Sequence, residues 1–125
     1  MMLVPHFELP HVWPKVVKWL EEAIKINQGD ENLFDVGMAI NSGIYELWWE
    51  DGKFAAVVQI QDFPRQRVAT ILYAGGALEA FKEMYLVAKK IAKDRGIDVM
   101  RVWGRAGWER SLGLKRIGVI LQETL

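Results

Sequence analysis

The chain has 125 residues, 51% of them hydrophobic, and its 16 basic and 16 acidic residues give a formal net charge of zero. This length and composition predict one globular domain over 1–125 rather than a disordered chain. A neutral balance disfavours a dedicated nucleic-acid binder, which usually carries a basic excess. Because the sequence contains no cysteine, disulfide scaffolds and thiolate metal sites are excluded.

The N-terminal stretch MMLVPHFELPHVWP lacks the basic start and apolar run of a signal peptide. No stretch approaches the roughly 18 consecutive apolar residues of a membrane span. We therefore expect a soluble protein without an export signal and without contact to a membrane. His6 and His11 have no carboxylates near them at ligand spacing, so we predict no metal site.

Two helices are predicted in the first third of the chain. Pro14 suits the first turn of a helix, and apolar residues from Val16 to Ile24 then recur at helical spacing. The stretch NQGD ends this helix. A second, shorter helix is predicted over 31–43, ended by Gly43.

Three strands follow, IYELWW, FAAVVQIQDF and VATILYA, joined by a turn at Asp51 and Gly52 and by a second turn at PRQR. They predict an antiparallel meander. The adjacent Trp48 and Trp49 must point to opposite faces of their strand, because successive side chains alternate. One of the two indoles therefore faces a second layer, a partner or solvent, which is a weak indication of an interaction surface.

Helical spacing returns over 77–96 and predicts a long helix that ends at Gly96. A strand IDVMRVWG, a short helix RAGWERSLG and a final strand LKRIGVILQETL complete the chain. A strand, a crossover helix and another strand favour parallel pairing. We predict an α+β fold in which an antiparallel meander runs into a βαβ unit, with helices on both faces of one mixed sheet.

This order, with the glycine pair before the crossover helix and the junction at 112–114, resembles the GNAT fold of Gcn5-related N-acetyltransferases. The resemblance is strongest over 44–125. Segments such as DFPRQRVATILYAGG and RVWGRAGWERSLG further resemble small GNAT-like proteins of tailed bacteriophages. That narrower resemblance implies a location in the cytoplasm of an infected host or in the virion. It also implies phage structural proteins, or a second copy of the chain, as partners at the aromatic surface of Trp48 and Trp49.

The resemblance also implies a site for acetyl-CoA. Active family members grip its pyrophosphate with a loop Arg/Gln-x-x-Gly-x-Gly/Ala, whose amides and helix N-terminus favour an anion. Here the equivalent stretch is YAGGALEA, and the candidate cofactor-binding residues are Ala74, Gly75, Gly76, Ala77 and Leu78. The initial Arg or Gln is missing, the spacing departs from the motif, and Glu79 would repel an anion. The alternative is that the two glycines only turn the chain.

Catalytic residues are implied in the same way. Many family members place a tyrosine four residues before the glycine of the last junction, where it acts as the general acid. Counting back from Gly113 gives Glu109, and a carboxylate could serve only if burial raised its pKa. Glu46 is the candidate general base, with Asp62 as an alternative.

Two main hypotheses follow, and whether the protein is an enzyme stays open between them. The favoured one is a GNAT-like phage protein that is catalytically degenerate and has an assembly or virion-associated role. The alternative is an active acetyl-CoA-dependent N-acetyltransferase with a divergent pyrophosphate loop. GNAT enzymes splay their fourth and fifth strands apart to seat the pantetheine arm. If Tyr73, Trp103 and Trp108 filled this slot, the cofactor would have no seat.

Overall fold

The computed structural model describes residues 2–26, 29–103 and 106–125. Within these ranges a short 3-10 helix, His6–Glu8, precedes the first α-helix. The remaining elements in chain order are β1 Met2–Leu3, α1 Leu9–Ile24, α2 Leu33–Asn41, β2 Glu46–Glu50, β3 Phe54–Asp62, β4 Arg67–Gly76, α3 Leu78–Asp94, β5 Val99–Val102 and α4 Ala106–Leu112. None of the helices in the described ranges combines the length and apolar character that crossing a lipid bilayer requires.

The strands form one mixed sheet in the order β1-β2-β3-β4-β5. The first four strands pair antiparallel, and β5 pairs parallel to β4 after the crossover through α3. The predicted meander and βαβ unit are therefore confirmed. The two-residue strand β1 was not predicted. It adds an edge beside β2, with Leu3 opposite Trp48.

Helices cover both faces of the sheet, as predicted. On one face, α3 packs against a core that includes Trp48, Phe54 and Ala56. On the other face, α1 and α2 pack against a core that includes Leu47 and Trp49. Trp48 and Trp49 are 2% and 6% exposed, so each indole is buried in a different core. Of the three predicted alternatives for these indoles, a second layer is the one observed. The partners predicted at this position, phage structural proteins or a second copy of the chain, remain a prediction.

The first helix begins earlier than predicted. α1 begins at Leu9 with Pro10 in its first turn, and Pro14 lies inside the helix. Proline is tolerated in a first turn, where its missing N–H has no helical partner anyway. The structure gives that position to Pro10, and the prediction assigned it to Pro14. The helix still buries one stripe of apolar residues, which includes Val12, Val16 and Leu20.

The predicted final strand is wrong. Residues 114–125 are described, and none of them belongs to a strand or a helix. Ile117, Val119 and Ile120 are 74%, 70% and 81% exposed. Their β-branched pattern favours a strand locally, but strand formation depends on a partner edge and on packing, which the pattern does not report.

Candidate functional site

The alternation of side chains along β4 shifts by one residue in the middle of the strand. Val57 of β3 lies opposite Tyr73, whereas the next residue, Val58, lies opposite Ile71. Leu72 is thus an extra residue in β4, which is a β-bulge. As a result, Ile71 belongs to the core beneath α3, and Tyr73 packs on the opposite face against the core beneath α1.

The bulge lies beside the point where the pairing of β4 with β5 ends. β5 pairs with β4 only from Val99 to Val102, and the last bond joins the Trp103 N–H to the Ile71 carbonyl at 3.0 Å. β4 continues beyond this point to Gly76. A cleft of about 1270 Å³ opens beside this continuation. The cleft therefore lies beside the part of β4 that extends beyond the last residue of β5.

The aromatic residues line the cleft and do not fill it. Trp108 of α4 stacks on Phe81 of α3, with ring centroids 4.8 Å apart. Trp103 is 59% exposed. Tyr73 points its hydroxyl at Glu31 and donates a 2.6 Å hydrogen bond to it. Together these side chains leave an open cleft with an aromatic wall on the side of β5 and α4.

The glycine pair is part of a strand and is neither a turn nor a loop. Gly75 and Gly76 are the last residues of β4, opposite Ala55 and Phe54, and Ala77 alone links them to α3. A Cβ on Gly75 would lie 2.7 Å from the carbonyl oxygen of Trp19 in α1. A Cβ on Gly76 would lie 2.3 Å from the carbonyl oxygen of Lys53, and the φ of Gly76 is +119°. Close packing therefore explains both glycines.

The N-terminus of α3 opens beside the cleft. The Ala77 N–H donates to the Lys53 carbonyl at 3.0 Å, and Ala77 makes no side-chain capping hydrogen bond. The following first-turn amides have no acceptor inside the helix, and the helix dipole favours an anion near them. Of the five predicted cofactor-binding residues, all but Ala77 line the cleft. Glu79 is highly exposed and lies 3.7 Å from Lys82.

The structure does not bring the two predicted catalytic carboxylates to the cleft. Glu109 is exposed on α4 and pairs with Arg116 at 2.9 Å, so the burial on which its predicted role depended is absent. Glu46 forms a two-pronged ion pair with Arg95, at 2.8 and 2.7 Å, and accepts a 3.0 Å hydrogen bond from Trp48. The geometry supports neither role, and both remain predictions.

The environment of Glu46 shifts its pKa in two directions. Burial by itself raises the pKa of the carboxyl, but the hydrogen bonds from Arg95 and Trp48 and the positive charge of Arg95 outweigh it and leave the pKa below its usual value. Glu46 is therefore an ionised anchor that ties the end of α3 to β2.

A different carboxylate lies on the cleft. Glu31, in the segment before α2, accepts hydrogen bonds from the hydroxyls of Tyr45 at 2.8 Å and of Tyr73 at 2.6 Å, one on each carboxylate oxygen. Burial, followed by the bond to Glu31, raises the pKa of Tyr45 to about 12. The sequence analysis missed this group, because its members are 14 and 42 residues apart and no local pattern joins them.

The two walls of the cleft differ in charge. Glu22, Asp30 and Glu31 lie on the side of α1, whereas the lining residues that the structure describes on the side of α4 carry no charge. No lysine, arginine or histidine lines the cleft in the described part of the chain. Glu22 pairs with Lys25 at 3.0 Å. Among the described residues, those with acidic side chains that line the cleft all lie on the side of α1.

No protein-family model matches the chain, and no curated protein sequence matches it. Solved structures do match. An aminoglycoside acetyltransferase from an uncultured soil metagenomic sample, in complex with sisomicin, has a TM-score of 0.68 at 10% identity, over 99% of this chain and 94% of that one. A probable acetyltransferase has a TM-score of 0.67 at 15% identity, over 100% of this chain and 97% of that one.

A possible acetyltransferase from Clostridium difficile 630 has a TM-score of 0.65 at 11% identity, over 99% of this chain and 95% of that one. At such identities the likeness shows the fold alone. The chain thus has the mixed α+β fold of GNAT acetyltransferases, as the sequence predicted, and the match covers almost its whole length.

Proposed function

We propose that the protein binds acetyl-CoA in the cleft between β4 and β5 and transfers its acetyl group to an amine. One observation carries this proposal: the pairing of β4 with β5 ends at Ile71 and Val102, and the cleft beside the continuing β4 reaches the N-terminus of α3. The cleft volume of about 1270 Å³ is large enough for a cofactor of this size. The shared fold adds support, since the matched structures are described as acetyltransferases.

The residues present fit the pantetheine arm of acetyl-CoA better than its pyrophosphate. The arm is uncharged and needs apolar walls, which Leu72, Ala74 and Trp103 supply. Leu72 is also the extra residue of the bulge, left unpaired in the β3–β4 ladder. For the pyrophosphate, the chain offers the first amides of α3. It offers no cationic side chain among the described residues that line the cleft.

Bound acetyl-CoA would supply an activated thioester: a bond forms from the amine nitrogen to the acetyl carbon, the carbon–sulfur bond breaks, and one proton passes from nitrogen to sulfur overall. The contribution of the chain is to hold the two reactants in contact, which lowers the entropic part of the barrier. Trp103 and Trp108 would line one side of the bound arm.

Catalytic degeneracy is the second candidate. It is favoured by the position of Glu109, which takes the place of the family's tyrosine in the sequence but lies outside the cleft. The single-residue link at Ala77 also leaves little of the family's pyrophosphate loop. A degenerate protein would bind acetyl-CoA without acetylating any amine. The predicted assembly role in a virion remains a prediction, since no comparison supports a bacteriophage origin.

Calorimetric titration with acetyl-CoA and with CoA tests the proposed function. Ser111 lines the cleft from α4, so Ser111→Trp should fill the slot and weaken binding at least about tenfold. Ser42 is exposed at the end of α2, and Ser42→Trp is the matched control that should bind like the wild type. No binding at millimolar ligand, or equal binding by both variants, would refute the proposal. Mass spectrometry of an amine library then separates an active enzyme from a degenerate one.

A further inference from the structure

The C-terminal segment has the side-chain pattern of a strand but pairs with no strand of its own chain. Residues 114–125 are described, and none of them belongs to a helix or a strand. Ile117, Val119 and Leu121 alternate along the segment and are all highly exposed. In an extended chain this alternation places the three side chains on one side, and they form the apolar face of the C-terminal segment. A single exposed apolar residue is ordinary, whereas a continuous exposed patch marks an interaction surface.

The sheet has a free edge to which such a segment can pair. β5 is the last strand of the sheet, and in the described ranges no strand pairs with its outer edge. None of the four residues of β5 is buried, whereas β2, β3 and β4 each contain at least three buried residues. Met100 and Val102 pack against the core beneath α3 but are only partly buried. An edge strand with unpaired backbone groups is a template for the addition of another strand.

The segment does not run along the β5 of its own chain. Its start is fixed at α4, because the Leu114 N–H donates to the Glu109 carbonyl at 3.1 Å and Arg116 pairs with the Glu109 carboxylate. Further along, Ile120 and Gln122 line the cleft, which opens where the pairing of β5 with β4 ends. The segment therefore stays at the carboxyl end of β5, and the outer edge of that strand is left for another chain.

We propose that residues 117–121 of one copy of the chain pair with the outer edge of β5 in a second copy, and that the exchange is reciprocal. Each copy has one such segment and one such edge, so a dimer with two-fold symmetry leaves neither of them unpaired. The apolar face of the C-terminal segment packs beside Met100 and Val102 of the second copy. Ile120 lies on the opposite side of the added strand and stays exposed. This interface does not depend on the binding of acetyl-CoA.

Sedimentation equilibrium of the full chain over a range of concentrations tests the proposal. We expect a dimer, and Val119→Asp, which places a charge on the apolar face, should raise its dissociation constant at least about tenfold. Ile44→Asp is the matched control, because Ile44 is also exposed but lies between α2 and β2, and its dissociation constant should equal that of the wild type. Both side chains are exposed within one copy, so neither variant should unfold it. A monomeric wild type, or equal dissociation constants for the two variants, overturns the proposal.

Cross-linking identifies the chain that supplies the segment. The sequence contains no cysteine, so single cysteines can be introduced without interference. A mixture of isotope-labelled Val99→Cys with unlabelled Val119→Cys, treated with a short bismaleimide, should give a covalent product that contains one chain of each kind, as measured by mass spectrometry. The double variant Val99→Cys/Val119→Cys is the comparison. If it forms links within single chains while the mixture forms none, the segment completes the sheet of its own chain and the proposal is overturned.

Discussion

Replacing Gly75 with alanine tests whether the glycine pair serves packing or a ligand. The added Cβ would lie 2.7 Å from the Trp19 carbonyl oxygen, 2.8 Å from the Trp19 Cβ and 3.0 Å from the Trp19 carbonyl carbon. These are atoms of α1 and cannot move away by a side-chain rotation. Overpacking of this kind costs about 1–3 kcal/mol. The lower entropy of the unfolded chain offsets about 0.4–1 kcal/mol of it. We therefore expect a net loss of about 1–2 kcal/mol.

Urea unfolding monitored by tryptophan fluorescence measures this change, and Gly118→Ala is the matched control. A Cβ on Gly118 has no other atom within 4 Å, and that substitution should stay within about 0.5 kcal/mol of the wild type. For Gly75→Ala we expect the melting temperature to fall on the order of 4 °C for each kcal/mol. Equal stability of the two variants, combined with a loss of acetyl-CoA binding in Gly75→Ala alone, would refute the packing explanation.

Two further predictions concern the ion pair of β2 and the C-terminal segment. The folded-state pKa of Glu46 is lowered, so its contribution to stability is present above the unfolded value of about 4.5 and is lost as the pH falls through the folded value. Glu46→Gln should lower the free energy of unfolding by about 1–3 kcal/mol at neutral pH. It should also weaken the dependence of this free energy on pH in the acid range. If the free energy of unfolding of the variant equals that of the wild type at every pH, the ion pair contributes nothing. Ile120→Ala should change the free energy of unfolding by less than about 0.5 kcal/mol, and Ile71→Ala, in a residue only 1% exposed, should cost about 2–5 kcal/mol. A comparable loss at both positions would show that the C-terminal segment packs as a strand in solution.

The order of the elements could be predicted because the signals for it are local. Asp51 and Gly52 sit at the tip of the β2–β3 hairpin, where Gly52 has a φ of +74°. The stripe of α3 includes Phe81, Tyr85 and Ala88, all buried as expected. The two wrong predictions also came from local patterns, which carry no information about tertiary contacts. A proline typical of a first turn lies inside α1, and a β-rich C-terminus has no partner strand.

The candidate site was harder to predict, because it is made by contacts between distant segments. The glycine pair was located correctly beside the cleft, but its partners, Trp19 and Lys53, belong to α1 and the β2–β3 turn. Glu31 had no signal in its own neighbourhood, since its tyrosine donors come from elsewhere in the sheet. Tyr73 reaches Glu31 only because the bulge places it on the face of α1. A shift of register by one residue cannot be recognised from an alternating sequence pattern.

Because of the bulge at Leu72, the alternation of side chains between the two faces of the sheet differs by one residue between the two halves of β4. Before it, odd-numbered residues such as Ala69 and Ile71 face α3, and after it the odd-numbered Tyr73 faces α1. Deleting Leu72 alone would invert neither half of the strand, because Ile71 and Tyr73 would then lie opposite Val58 and Val57 as consecutive residues of a regular ladder. Tyr73 would stay on the face of α1, and the strand would lose only its bulge. The extra residue is therefore what allows two odd-numbered side chains of one strand to serve opposite faces of the sheet.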